Sequence, residues 1–119
     1  MHNIAIIHPD GQLTYQQLPE NDHDQLEQFQ SIVEGDIQLV RVEFHGCDAF
    51  VNEDGIAQHL PRNRAAERVL GWPGPLLGPV IITGGMRNAV DVGLSPVQRA
   101  VLTSALGLPS EQTRTGARE

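Results

Sequence analysis

Turn residues cut this chain into short pieces, and their spacing limits what it can fold into. Pro9-Asp10-Gly11, His45-Gly46-Cys47-Asp48, Asn52-Glu53-Asp54-Gly55, Trp72-Pro73-Gly74-Pro75 and Gly84-Gly85 each favour a reversal or a break. The apolar runs between them are strand-sized and β-branched, as in Ile4-Ala5-Ile6-Ile7 and Val80-Ile81-Ile82-Thr83. None approaches the roughly 20 residues that a bilayer span needs. Short strands joined by tight turns make hairpins. Residues 3–7 and 13–18 are expected to form the first, and 36–44 with 49–52 the second. A short strand or extended edge is expected over 56–60, and a final strand over 76–83.

Three segments carry helical spacing instead. Over 22–34, Leu26, Phe29, Ile32 and Val33 share one face. Asn21 or Asp22 can cap its start, Asp22 with Gln25 fits a capping box, and Gly35 suits a left-handed C-terminal cap. The second helix follows Pro61, capped by Asn63 and closed by Gly71, with Ala65, Ala66, Val69 and Leu70 toward the core. The third opens on Ser95-Pro96-x-Gln98, a capping box with Pro at the first helical position. Residues 87–93 read as a loop. The expected fold is α+β: a mixed, mainly antiparallel sheet of about five strands built from hairpins, with two to three helices packed on it. The 119 residues fit a single domain, expected over 1–108, with a polar and disordered tail over 109–119.

The charge is lopsided. All eight cations are Arg, against fifteen acids, for a net charge of −7. Residues 1–60 hold eleven of the acids and only Arg41, whereas 61–119 hold seven Arg and four acids. Direct nucleic-acid binding is not expected from that balance, because phosphate neutralisation needs surplus cations. The single cysteine, Cys47, excludes a disulfide-stapled domain. The start of the sequence lacks the basic and long apolar stretches of a secretory signal, so a cytoplasmic protein is expected.

Two cationic stretches stand out. Arg62, Asn63, Arg64 and Arg68 gather at the start of the second helix, where free N–H groups favour an anion. Gly84-Gly85-x-Arg87-Asn88 is flexible and follows a buried strand. Converging, they would hold a phosphate, with Trp72 stacking on a ring. The ligand-binding candidates are therefore Arg62, Asn63, Arg64, Arg87 and Trp72. The competing reading pairs these Arg side chains with acids such as Glu53, Asp54 or Glu67. The Asn52–Gly55 turn lacks the alternating acids of a calcium loop. One Cys beside His45 gives neither a zinc set nor a nucleophile with its base. No metal, no cofactor and no catalytic residue is expected. Val97, Val101, Leu102, Ala105 and Leu106 of the third helix are candidates for a homo-oligomer contact.

Several segments resemble a known family. They are Leu26-x-x-Phe29-Gln30-x-x-Val33-x-Gly35, Asp36-Ile37-Gln38-Leu39-Val40, Val51-Asn52-Glu53-Asp54-Gly55, Leu60-Pro61-x-Asn63-x-Ala65-Ala66 and Gly78-Pro79-Val80-Ile81-Ile82. Over residues 3–84 the chain resembles a family of small uncharacterised proteins, a domain of unknown function common on bacteriophages, plasmids and other mobile elements. The resemblance implies no catalytic residues. It implies an accessory role, such as interference with host defence. The expected function is thus a non-enzymatic binding protein that sequesters a small anionic, nucleotide-like ligand or docks on a host protein. An acidic protein–protein inhibitor or nucleic-acid mimic is the alternative, and a structural domain of unknown role the next.

Overall fold

A computed structural model describes residues 2–88 and 90–108, so the tail expected over 109–119 lies outside the described residues. The strands are β1 (Asn3–Ile7), β2 (Leu13–Gln17), β3 (Ile37–Val40), β4 (Asp48–Asn52), β5 (Val80–Thr83), β6 (Met86–Arg87) and β7 (Val90–Asp91). The helices are α1 (Asp22–Val33), α2 (Arg64–Leu70) and α3 (Pro96–Ala105). Five strands form one sheet in the order β2-β1-β5-β4-β3, and every neighbouring pair in it is antiparallel. The two expected hairpins, β1–β2 and β3–β4, are its outer pairs. The last long strand, β5, enters between them.

Alternation along the strands builds a core on each face of the sheet. Ile4, Ile6, Phe50 and Ile81 turn toward α1, where they meet Phe29 and Val33. The Phe29 and Phe50 rings lie 5.1 Å apart at a tilt of 49°, an arrangement aromatic pairs favour. Ala5, Ile7, Ala49, Val51, Val80 and Ile82 turn the other way, onto Ala65, Ala66 and Leu70 of α2 and Leu102 of α3. The central strands are buried on both sides, which is why β1 and β5 read as unbroken apolar runs.

The helix caps follow the sequence with two corrections. Asn21, not Asp22, caps α1: its side chain accepts a 2.8 Å bond from the Asp24 N–H. Gln25 closes no box; it is buried, and its amide donates to the Pro19 and Asp91 carbonyls. The left-handed residue that ends α1 is Glu34, at φ 60°, rather than Gly35. Gly35 is small for another reason: a Cβ there would stand 2.7 Å from the Asn52 side-chain amide. Asn63 and Gly71 bound α2, and Ser95, Pro96 and Gln98 open α3 as expected.

Three strand expectations change. β3 stops at Val40, because Phe44 and Cys47 must drop into the core on the α2–α3 side before the chain can return. Residues 53–59 coil through turns instead of forming a strand, closed by bonds from the Gln58 N–H to the Asp54 carbonyl and from the Leu60 N–H to the Gly55 carbonyl. The expected loop over 87–93 contains the β6–β7 hairpin, with Met86 opposite Asp91 and Arg87 opposite Val90.

Candidate functional site

The five candidate residues do not converge. Asn63 is fully buried. Its amide donates to the Ile7 carbonyl at 2.7 Å and the Gly78 carbonyl at 2.9 Å, while its oxygen accepts from the Ala66 N–H. Both amide hydrogens are spent, and the side chain ties α2 to the ends of β1 and β5. Arg62 clamps Glu67 through two bonds of 2.8 and 3.0 Å. Glu67 also accepts from the Leu76 N–H at 2.9 Å. The Arg62 bond, helped by that N–H and by nearby Arg64, holds the Glu67 carboxyl below its usual range against the opposing effect of burial. Arg64 is exposed. Trp72 is half-buried against the core on the α2–α3 side.

Arg87 lies elsewhere. Asn63 sits beside Ile7, which pairs with Val80 at the start of β5. Arg87 follows the other end of β5, beyond Thr83, where β1 begins. The length of β1 separates the two stretches, roughly 14 Å at strand rise. The expected joint phosphate site therefore does not form in this arrangement.

A cleft opens at the Arg87 end instead. It has a volume of about 820 Å³, and the β6–β7 hairpin, the start of β1 and the approaches to α1 and α3 enclose it. Its walls mix apolar groups such as Leu18, Val92 and Leu94 with polar ones: His2, Glu20, Gln25, Arg87, Asn88 and Asp91. Small-molecule sites have this size and this mix.

Glycines let the backbones meet there. A Cβ on Gly84 would run into the Gly93 carbonyl oxygen, and one on Gly93 would stand 2.7 Å from the His2 Cα. The Gly84 N–H donates to the Val92 carbonyl and the Leu94 N–H to the Asn3 carbonyl, both at 2.8 Å. The hairpin is thereby sewn to the sheet end. On α3, the Gln98 amide donates to the His45 carbonyl at 2.8 Å, while its oxygen accepts from the Ser95 N–H.

Asp91 is the most unusual group in the cleft. The buried Thr83 hydroxyl donates to its Oδ1 at 2.9 Å. Burial pushes the Asp91 carboxyl up, the Thr83 bond pulls the other way, and neighbouring Asp48 adds to the rise. Such a group in a cleft is a mark of functional sites. Gln25 lines the same wall and is 4 % exposed.

Of the candidates drawn from the sequence, Arg87 lines the cleft; Gln25 and Asp91, which line it too, were not among them. Gln25 sits in an acidic, solvent-facing stretch, and nothing local says that its side chain turns inward. The available signal was the recurrence of Gly84, Gly85 and Gly93, since glycines near a strand mark close backbone approach.

Other clusters have structural explanations. His23, Asp24 and Glu27 bring ligand atoms within 4.8 Å of one another, all exposed. Asp24 is bonded to the capping Asn21, and His23 meets Glu27 at 3.3 Å across one helical turn. Cys47 is 4 % exposed, and burial, with Asp48, pushes its thiol up to about 11, away from reactivity. In α3, Leu102 is fully buried while Val101 and Leu106 pack on the same core, which leaves Val97 as the large apolar side chain turned outward. Among the described residues, no helix is long and apolar enough to cross a membrane.

No curated protein and no solved structure matches the chain. The family of a domain of unknown function, DUF3846, spans residues 1–106, and the chain belongs to it.

Proposed function

We propose that this protein is a non-enzymatic binding protein that captures a small anionic, nucleotide-like ligand in the cleft between the β6–β7 hairpin and the start of α1. The observation that carries the reading is the cleft itself, about 820 Å³ with Arg87 and Asn88 on its hairpin wall. An exposed Arg fork suits phosphate or carboxylate. Apolar Leu18, Val90 and Val92 offer a surface for a flat ring. Arg62, Asn63 and Trp72 take no part, because the fold spends them on its own contacts. An accessory role on a phage or mobile element, sequestering a signal molecule of the host, extends this proposal and rests on the family resemblance.

Native mass spectrometry of the protein purified from cells, and again after mixing with a nucleoside monophosphate panel, tests the reading. A discrete added mass that is lost on denaturation and lost from Arg87→Ala is expected. Equal occupancy in Arg87→Ala would move the ligand out of the cleft. A bare protein under both conditions would overturn capture.

One observation favours a second reading. Residues 20–36 expose Glu20, Asp22, Asp24, Glu27, Glu34 and Asp36 and hold no Arg, and Leu26 is 43 % exposed among them. An apolar centre with a charged rim fits a basic protein partner. Binding to such a partner that weakens steeply with salt would support an acidic inhibitor, and salt-independent binding would count against it.

A further inference from the structure

The five-stranded sheet ends in two edges, β2 and β3. On β2 the ladder shows which way each backbone group points. The Leu18 N–H donates to the His2 carbonyl and the His8 N–H to the Gln12 carbonyl, both in register with the hairpin. Bonded pairs alternate along an antiparallel ladder, so the backbone groups of Thr14 and Gln16 face β1, and those of Leu13, Tyr15 and Gln17 face away from it. The Gln28 amide covers the Gln17 carbonyl at 2.8 Å. The outward N–H and C=O groups of Leu13 and Tyr15 bond nothing among the described residues.

Native sheets guard such an edge with Lys, Pro, a bulge or a very short strand. β2 has none of these. Its five residues, Leu13-Thr14-Tyr15-Gln16-Gln17, run in unbroken register and carry no charge. Its apolar side chains, Leu13 and Tyr15, are only partly covered. The buried side-chain atoms that lack a partner among the described residues also gather here: the Tyr15 Oη on the strand and the Gln28 Oε1 on the side chain laid against it. Such atoms are exceptions in a finished fold. The other edge differs. β3 is one residue shorter, and exposed Glu34, Asp36 and Glu43 flank it against Arg41 alone.

We propose that β2 pairs antiparallel with β2 of a second copy of this chain, across a two-fold axis at Thr14. In this register Leu13 of each copy stands opposite Tyr15 of the other, so the outward N–H and C=O groups of both residues all find partners. Leu13 then packs on the second copy's Tyr15, an aliphatic–aromatic pair of the kind that stabilises sheets. Gln12 falls opposite the second copy's Gln16, beside the idle Gln28 oxygen. A chain of net charge −7 repels its own copy, and β2 is the edge that sets no acid of the strand between the two. The shared sheet ends in β3 on both sides. The acids around β3 oppose further pairing, so the assembly closes as a dimer.

Sedimentation velocity on the intact protein, on Thr14→Lys and on Thr14→Glu tests the pairing. Thr14 is exposed, and at the axis it forms a non-hydrogen-bonded pair, where facing side chains come closest. The intact protein is expected to sediment as a dimer. Each variant alone is expected to be a monomer, because like charges directly opposite are destabilising. An equimolar mixture of the two variants is expected to recover the dimer, which also shows that both are folded. A monomeric intact protein would overturn the proposal. A dimer that persists in both variants would put the contact on another surface, such as α3, and overturn it as well. Variants that unfold at the midpoint of the intact protein yet stay monomeric when mixed would overturn the axis at Thr14.

Discussion

Asn63 shows how one side chain can do two structural jobs and look, in sequence, like a ligand contact. Its oxygen caps α2, and its amide ties two carbonyls at the ends of β1 and β5. A cap is worth about 1 kcal/mol, and each buried carbonyl left unpaired costs about 1–3 kcal/mol. Asn63→Ala should therefore destabilise the protein by at least about 3 kcal/mol in urea unfolding. Asn63→Asp separates the two jobs, since Asp caps a helix as well as Asn does. In this site it would lose the amide donor and set a carboxylate against the Ile7 and Gly78 carbonyls. It should be at least as damaging as Ala. Near-intact stability in Asn63→Asp would mean that the carbonyl ties contribute nothing. Arg62 follows the same pattern, with its guanidinium fixed on Glu67. The cationic cluster was visible in the sequence, and so was Glu67 as a partner for Arg62 five residues on, but the Ile7 carbonyl that holds the Asn63 amide comes from another part of the chain.

At the scale of elements, local chemistry and long-range pairing part company. The caps at Asn63 and Ser95, the Pro9-Asp10-Gly11 reversal and the helical spacing of Phe29 and Val33 are local signals, and the structure uses them as read. The entry of β5 between the two hairpins depends on partners more than 25 residues away, Ile81 against both Ile6 and Phe50, and no local pattern encodes that. The two-residue strands β6 and β7 are equally silent, because they stand on backbone contact and not on apolar alternation. Gly93 is where that contact can be tested. A methyl group there would meet the His2 Cα at 2.7 Å and the Asn3 N at 2.8 Å, both backbone atoms with little room to give. Gly93→Ala should cost about 1–3 kcal/mol, as overpacking does. Its first effect should be local, with faster hydrogen exchange at Leu94, whose N–H donates to the Asn3 carbonyl. Unchanged exchange at Leu94 would show that the hairpin is not anchored through this approach. The same loosening would open the cleft, which is why its walls were legible only as a glycine pattern.

At the scale of the molecule, one sheet serves two cores. Strands β1, β4 and β5 send alternate residues to α1 on one side and to α2 and α3 on the other. The two cores share the sheet, which exposes an apolar face to water as soon as either helix layer leaves. The two sides should therefore unfold together. Cys47 offers a reporter on the α2–α3 side. Burial, then Asp48, pushes its thiol up to about 11, and the thiolate is the reactive form. Because the folded value lies above the free value of 9.0, the stability contributed by the neutral thiol is fully present below pH 9 and is lost as pH rises through about 11. At pH 8 the folded thiol is thus both covered and protonated. Labelling by a disulfide reagent at that pH should be slow in native buffer and should rise with urea at the same midpoint as the far-ultraviolet signal of the helices, α1 included. Labelling that rises well below that midpoint would mean that the α2–α3 side opens alone. In that event β1 and β5 would not couple the two cores, and the cleft at their shared end would sit on a separately mobile half of the molecule.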